Sequence, residues 1–291
     1  MTLWENITYK MLHTRSKLFL LIGINVAVYL AINAPAVIEQ LFFTGFGNSN
    51  IIAYSNDYLR LPANLDKLAH RFWTPFTYMF MHADVFHILF NMLWLYWLGQ
   101  IFEEYMGHGR TIGLYILGGL AGGFLYVLCF NTIPAFTAVN ASAVSGIVGA
   151  SAGVMAIIIA TATLRPDYTI QLFLFGAVKL KWLAIFYIVV DFLSSAGGNA
   201  GGSIAHLGGA LLGFIYIKRV QSGSDWIGGI SKLFKRKSKL KVVSNNPEKN
   251  TSAKPRQEEI DRILDKISQS GYDSLTRQEK EVLFRASKDE G

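Results

Sequence analysis

The sequence predicts an all-α polytopic membrane protein, and three observations carry that reading. Of the 291 residues, 52% are hydrophobic and the mean hydropathy is +0.32, too apolar for an ordinary soluble domain. Only 16% are charged, and most of those lie near the ends of the chain. The apolar residues are gathered into six runs, about 18–34, 82–102, 111–130, 151–164, 182–196 and 203–217, each at or near the length that crosses a bilayer, roughly 20 residues and fewer where a helix starts inside it. The net charge of +7 is read as a basic tail beside the membrane rather than as a nucleic-acid surface.

Span one follows Lys10, Arg15 and Lys17. Those residues could also be the basic region of a signal peptide, with Ala34-Pro35-Ala36 as a cleavage-like site. The length of the run, and the odd number of spans that removal would leave, favour a span. Span two carries His82, His87 and Asn91 near its start, and Gly99, Glu103 and Glu104 at its end. A carboxylate there is expected to tie down that end. Span three holds Gly118, Gly119, Gly122 and Gly123, two small-xxx-small pairs that read as helix packing, not as a phosphate loop. It also holds Cys129, the one cysteine, so an internal disulfide and a cysteine metal cluster are excluded. Span four begins at Ser151 in Gly149-Ala150-Ser151-Ala152-Gly153 and has only about 14 residues, or about 20 Å of helix. Its helix is therefore expected to start below the surface, with irregular backbone before it, which is tolerated only where it is buried in protein or lines a wet cavity. Span five contains Asp191, and span six contains Ala205-His206-Leu207-Gly208-Gly209.

Lysine and arginine set the orientation. They cluster before span one, between two and three, between four and five, and after six. The connections 131–143 and 197–202 carry none, and in 35–81 Arg60, Lys67 and Arg71 are balanced by Glu39, Asp57 and Asp66. Both termini are therefore expected in the cytoplasm. Spans two, four and six then run from outside to inside, so His82, His87, Asn91, Ser151 and His206 all lie in the outer half of the bilayer. Polar groups are costly there and are functional candidates by default.

Serine is a poor nucleophile until a base takes its proton. His206 is the candidate base, because Gly209 and Gly213 share its face and let another helix approach closely. The expected catalytic pair is Ser151 and His206. Oxyanion donors are expected from the helix-start amides of Ala150 and Ser151, and from His87 and Asn91, which share a face at i, i+4. His82 is off that face and is a secondary candidate. A zinc site of His82, His87 and His206 is disfavoured by the i, i+5 spacing and the lack of a supporting carboxylate, so neither metal nor cofactor is expected. Asp191 could orient His206, but it is read as a structural acid, which leaves a Ser-His dyad.

These motifs resemble the rhomboid family of intramembrane serine proteases. The matching elements are His82-x4-His87-x3-Asn91, Gly149-Ala150-Ser151 and Ala205-His206-x2-Gly209-x3-Gly213. Trp73, Phe76-Thr77, Leu98-Gly99 and Glu103 match more weakly, and the resemblance covers about residues 17–220. It implies a six-helix rhomboid-like bundle with Ser151 as nucleophile and His206 as general base. It also implies an oxyanion hole lined by His87, Asn91 and the Ser151 amide. Span five would move as a lateral gate, and 35–81 would form a partly embedded loop. Two departures stand out: Ala152 replaces the usual glycine after the serine, and Met155 replaces an aromatic that stacks on the histidine.

Beyond residues 1–220, residues 221–256 read as a basic flexible linker with Lys232, Lys235, Arg236, Lys237, Lys239 and Lys241, which either meets anionic lipid or is simply solvated. Residues 257–291 read as a cytoplasmic helical hairpin: Ile260, Ile263, Leu264 and Ile267 share a face, Gly271 ends the first helix, and Thr276 caps the second. The expected partners are single-span or polytopic membrane proteins and the lipid bilayer, with no nucleic acid. The expected location is a bacterial inner membrane. The competing functions are a non-catalytic membrane-protein binder or chaperone of the same fold, and a small-solute transporter, which the lack of an internal repeat disfavours.

Overall fold

A computed structural model describes residues 16–140, 146–172, 176–233 and 257–288. Each of the six apolar runs forms a helix, with boundaries that shift by a few residues. Helix α1 spans Leu18–Glu39 and passes into a π turn, Gln40–Thr44. The sequence suggested a stop near Ala34, yet the helix continues through Pro35. Proline breaks helices in water by removing an N–H. Spanning helices tolerate it, because neighbouring groups re-satisfy the freed carbonyl. Helices α2 (Asn50–Leu59), α3 (Leu65–His70) and α4 (Thr74–Thr77) fold the first connection, followed by a 3-10 turn at Tyr78–Phe80. The Glu39 carboxylate anchors the start of α2 by accepting from Ser49 Oγ at 2.6 Å and from the amides of Asn50 and Ile51.

Helix α5 covers Val85–Met106 and α6 covers Gly109–Thr132. Helix α7, Pro134–Asn140, lies in the connection between spans three and four that carries no lysine or arginine. Helix α8 is Ser151–Leu164, α9 is Leu180–Ser194 and α10 is Ala200–Gln221. Among the described residues four helices are long and apolar enough to cross a membrane: α1 with its π turn, α5, α6 and α10. The shorter α8, with 14 residues, is about 21 Å long. Apolar side chains also cover the outer face of α9, where Phe186, Phe192 and Leu193 are each more than 60% exposed, as suits a lipid-facing surface rather than a soluble one.

The architecture is not purely helical. Leu61–Pro62 (β1) pairs with Gly146–Ile147 (β2), and Thr169–Leu172 (β3) pairs with Gly176–Lys179 (β4). The second pair is an antiparallel ribbon between α8 and α9. In it the Lys181 and Lys179 ammonium groups hold the Asp167 carboxyl below its ordinary range. These strands were missed because each is only two to four residues long, too short for a period-2 pattern to register.

The core is organised around α8, where every residue from Ala152 to Ala162 is buried. Small residues bring its neighbours to backbone contact. A Cβ at Gly209 would lie 2.0 Å from the Ala152 carbonyl oxygen, and one at Gly213 would lie 2.2 Å from that of Ala156. A Cβ at Gly122 would meet both the Ala205 carbonyl and Ala152 Cβ. Helices α6, α8 and α10 therefore touch at the level of Ala152 and Ala205, the chain neighbours of Ser151 and His206. Van der Waals contact of this kind is the main cohesion available where lipid removes the hydrophobic drive.

Beyond α10, Arg110 donates to Asp225 Oδ2 at 2.8 and 2.5 Å, and Tyr216 and the Gly228 amide donate to Oδ1. Burial pushes this carboxyl up, but the Arg110, Gly228 and Tyr216 bonds leave it below its ordinary value. The linker expected over 221–256 is thus corrected at its start: helix α11, Trp226–Leu233, follows Asp225. Its Ile227 is buried against the start of α6, within 2.5 Å of where a Gly113 Cβ would stand. The basic run from Lys235 to Lys241 lies outside the described residues.

The chain divides into two compact units, Met1–Lys235 and Arg236–Gly291. In the second, α12 (Gln257–Ser270) and α13 (Arg277–Lys288) are joined through Gly271, whose φ of 78° suits a residue without a Cβ. Thr276 and Glu279 form a capping box: the Thr276 amide donates to Glu279 Oε2 at 2.7 Å, and the Glu279 amide reaches Thr276 Oγ1. Lys266 binds the same carboxylate at 2.9 Å and is the main reason that it is lowered to about 2.

Candidate functional site

The site is built on the start of α8. The carbonyl of Tyr78 accepts the Gly149 amide at 2.9 Å, and Gly149 adopts φ +132°. That turn delivers Ala150, the N-cap, fully buried and with no side-chain cap. The amides of Ala150 and Ser151 have no hydrogen-bond partner among the described residues. Uncapped helix-start donors beside a positive dipole end are what a developing oxyanion needs.

The Tyr78 turn is itself fixed by a polar chain through the bundle. Asn25, fully buried in α1, donates to Tyr115 Oη at 3.2 Å, and Tyr115 donates to the Met79 carbonyl at 2.8 Å. Tyr78 Oη donates to the Gly119 carbonyl at 2.6 Å. A buried asparagine inside a span is expensive unless paired, and here its pairing positions the backbone that holds Gly149.

Helix α5 is capped by Asp84, whose carboxylate accepts the His87 amide at 2.9 Å. The Ala83 amide donates to His87 Nδ1 at 3.3 Å, so a neutral His87 carries its proton on Nε2. That nitrogen would stand 2.8 Å from a Cβ at Gly149, and Ser151 Oγ would stand 3.3 Å from the same point. His87 therefore offers an N–H close to the serine. Asn91 is buried and donates one amide hydrogen to the His87 carbonyl at 2.8 Å, which leaves its second N–H. His82 is placed differently. Its ring meets His87 edge-on at 5.1 Å and lines a cavity of about 130 Å³ with Tyr29, Asn33, Ser55, Asn56 and Arg60. That cavity lies between α1, α2 and the turn before α5.

His206 approaches from α10. Its Nδ1 lies 2.9 Å from Asp191 Oδ1 on α9. Sequence reasoning set Asp191 aside as a structural acid, and here it faces the imidazole directly. The two residues sit on separate helices whose mutual rotation no local pattern encodes. Ser151 and His206 make no hydrogen bond within 3.5 Å. Catalytic hydrogen bonds are often long in an enzyme without substrate. Among the described residues no group of three metal-ligating side chains is present.

The rhomboid domain family matches residues 69–221, more than half of the chain. The chain belongs to the rhomboid family. It is therefore an integral membrane protein in a bilayer environment, as the apolar helices require. Among its relatives is RHOMBOID-like protein 12, mitochondrial, of Arabidopsis thaliana, 33% identical over 161 residues, which are 53% of this chain and 48% of that protein. RHOMBOID-like protein 1 of the same plant is 34% identical over 159 residues, covering 53% of this chain and 37% of that one. Rhomboid protease GlpG of Salmonella newport is 40% identical over 53 residues, 18% of this chain and 19% of GlpG. The chain thus matches less than half the length of each of these rhomboid relatives. A second match, over residues 248–289, is to a family of unknown function, DUF6576.

Proposed function

We propose that this rhomboid protein is an intramembrane serine endopeptidase that cuts membrane-anchored proteins in or near their transmembrane segments. Ser151 is the nucleophile and His206 the general base. The tetrahedral oxyanion is received by the amides of Ala150 and Ser151, by His87 Nε2–H and by the free N–H of Asn91. The observation that carries this is the uncapped start of α8, with Ser151 as first residue and the His87 donor facing it across Gly149. A non-catalytic binder of the same fold has no use for a buried N-cap whose amide is unpaired beside a serine, because buried unpaired donors are costly.

In this reading all six helices cross or enter the bilayer, both termini face the cytoplasm, and the site opens toward the outer half of a bacterial-type inner membrane. The short α8 starts below the surface, so water must reach Ser151 through the irregular backbone before it. The test is reaction of the purified protein with a fluorophosphonate probe, together with cleavage of a panel of labelled single-span substrates. Labelling and cleavage that both vanish in Ser151→Ala support the assignment, and binding of substrates without any cleavage would point to the chaperone reading.

Asn91→Ala should lower kcat by about 10–100-fold with little change in KM. An oxyanion donor acts mainly in the transition state, and losing one alone typically costs about 10²–10³. Several donors share the task here, so the smaller figure is expected. A raised KM at constant kcat would reassign Asn91 to substrate binding.

Deleting residues 257–291 should leave turnover in detergent within about twofold of the full chain, because acyl transfer needs only groups at the reacting carbonyl. The second unit then serves localisation or partner binding. A tenfold loss in a truncated protein that is still folded would show that it helps to organise the catalytic unit.

A further inference from the structure

We infer that Asp191 is a positioning residue for His206, so that this protein works as a Ser-His-Asp triad whose acid is carried on α9. The inference rests on the hydrolase reading above. Helix α9 packs on the bundle through one narrow stripe, with Leu180, Leu183, Ala184 and Asp191 buried and most of its other side chains exposed. Tyr187 lies on the same stripe and meets Trp94 of α5 edge-on at 5.5 Å. A hydrophobe at position 191 would complete that stripe with no desolvation cost. Instead a carboxylate stands there, 2.9 Å from His206 Nδ1.

Asp191 Oδ2 is buried with no hydrogen-bond partner among the described residues. Among those residues the 2.9 Å contact with His206 Nδ1 is therefore the one polar contact that places this carboxylate. An ionised carboxylate only accepts hydrogen bonds. In the triad Asp191 is the acceptor, so Nδ1 of His206 carries the proton and the neutral imidazole presents its lone pair at Nε2. The two ring nitrogens point to opposite sides, so a proton held at Nδ1 against Asp191 leaves Nε2 as the free basic atom, on a residue that shares a helix face with Gly209, where α10 touches Ala152 of α8. When Nε2 takes the Ser151 proton as Oγ bonds to the substrate carbonyl carbon, the imidazolium keeps Nδ1–H on Asp191. Asp191 itself stays ionised. The proton then passes from Nε2 to the leaving amine.

The test uses the full-length protein in micelles, with two independent readouts. The first is steady-state kinetics of wild type, Asp191→Asn, Asp191→Glu and Ser151→Ala on one labelled single-span substrate, with thermal unfolding of each. The asparagine amide can turn its NH2 to Nδ1 and favour the wrong tautomer. Asp191→Asn should therefore lose about tenfold or more in kcat, up to the 10²–10⁴ that a general base contributes as a whole, while KM and melting temperature hardly move. Asp191→Glu should retain more activity than Asp191→Asn. The second readout is the 15N-histidine spectrum of wild type, with His206 assigned by its loss in His206→Gln. The wild-type signal should be that of the Nδ1–H tautomer, and Asp191→Asn should lose it.

Wild-type kcat in Asp191→Asn, a loss that tracks melting temperature alone, or an Nε2–H tautomer in wild type would each overturn the inference, and the last needs no variant to fold. If wild type cleaves nothing while its His206 shows the Nδ1–H tautomer, the protease reading fails and the Asp191 contact is only structural.

Discussion

Ser151→Ala and His206→Ala are each expected to reduce turnover by about 10⁴-fold or more, the scale on which nucleophile and base act in serine hydrolases. Folded, membrane-inserted protein is expected from both. Ser151 begins α8 and contributes no cap bond, so removing its hydroxyl costs the fold little. The His206 ring is partly exposed and, among the described residues, bonds Asp191 alone. Its loss leaves that carboxylate unpaired, so a modest drop in melting temperature is expected for His206→Ala and not for Ser151→Ala. The double variant should be hardly worse than either single, because the two groups act as one unit. The measurement is cleavage of a labelled single-span substrate by purified protein, with thermal unfolding as control. Strong cleavage by purified Ser151→Ala would falsify the mechanism.

Different physical terms made different parts of this molecule legible in the sequence. The six helices follow from apolar runs, because a bilayer forces every spanning backbone group to pair within its own segment. Their ends follow less well: α1 outruns Pro35, and α7 and α11 are amphipathic or short pieces at connections that hydropathy does not mark. Ser151, His87, Asn91 and His206 stand out by a shared depth that few other uses of a polar group justify, by the i, i+4 and glycine spacings around them, and by their resemblance to the rhomboid motifs. Depth does not encode rotation about a helix axis. So the sequence offers Asp191 as a partner of His206 without deciding it, and it hides the link from Arg110 to Asp225, which spans 115 positions. His82 shows the converse. It shares the depth of the site, yet its ring lines the cavity beside α1 and α2.

Gly149→Ala carries the second large expectation, a loss of activity on the order of 10²-fold, as a displacement of about 1 Å at a reacting centre can cause. Gly149 sits at φ +132°, where a side chain is strained, at about 1–3 kcal/mol for such conformations. A methyl there would stand 2.8 Å from His87 Nε2, 2.9 Å from His87 Cε1 and 3.3 Å from Ser151 Oγ. The first two distances are shorter than real Cβ contacts, so either the imidazole moves or the turn before α8 does. The turn is held by Tyr78, whose ring and carbonyl are both bonded in place. His87 is held by the Asp84 cap and the Ala83 amide. Neither side yields freely, and whichever shifts takes an oxyanion donor or the nucleophile out of line. The strain should lower the melting temperature modestly, whereas the displaced donor should lower kcat steeply with little effect on KM. His87→Ala separates the two contributions, since it removes the clash and leaves the backbone strain. Adding Gly149→Ala to His87→Ala should therefore cost much less activity than adding it to wild type. Equal losses in the two backgrounds would place the whole effect in the backbone and remove His87 from the oxyanion site.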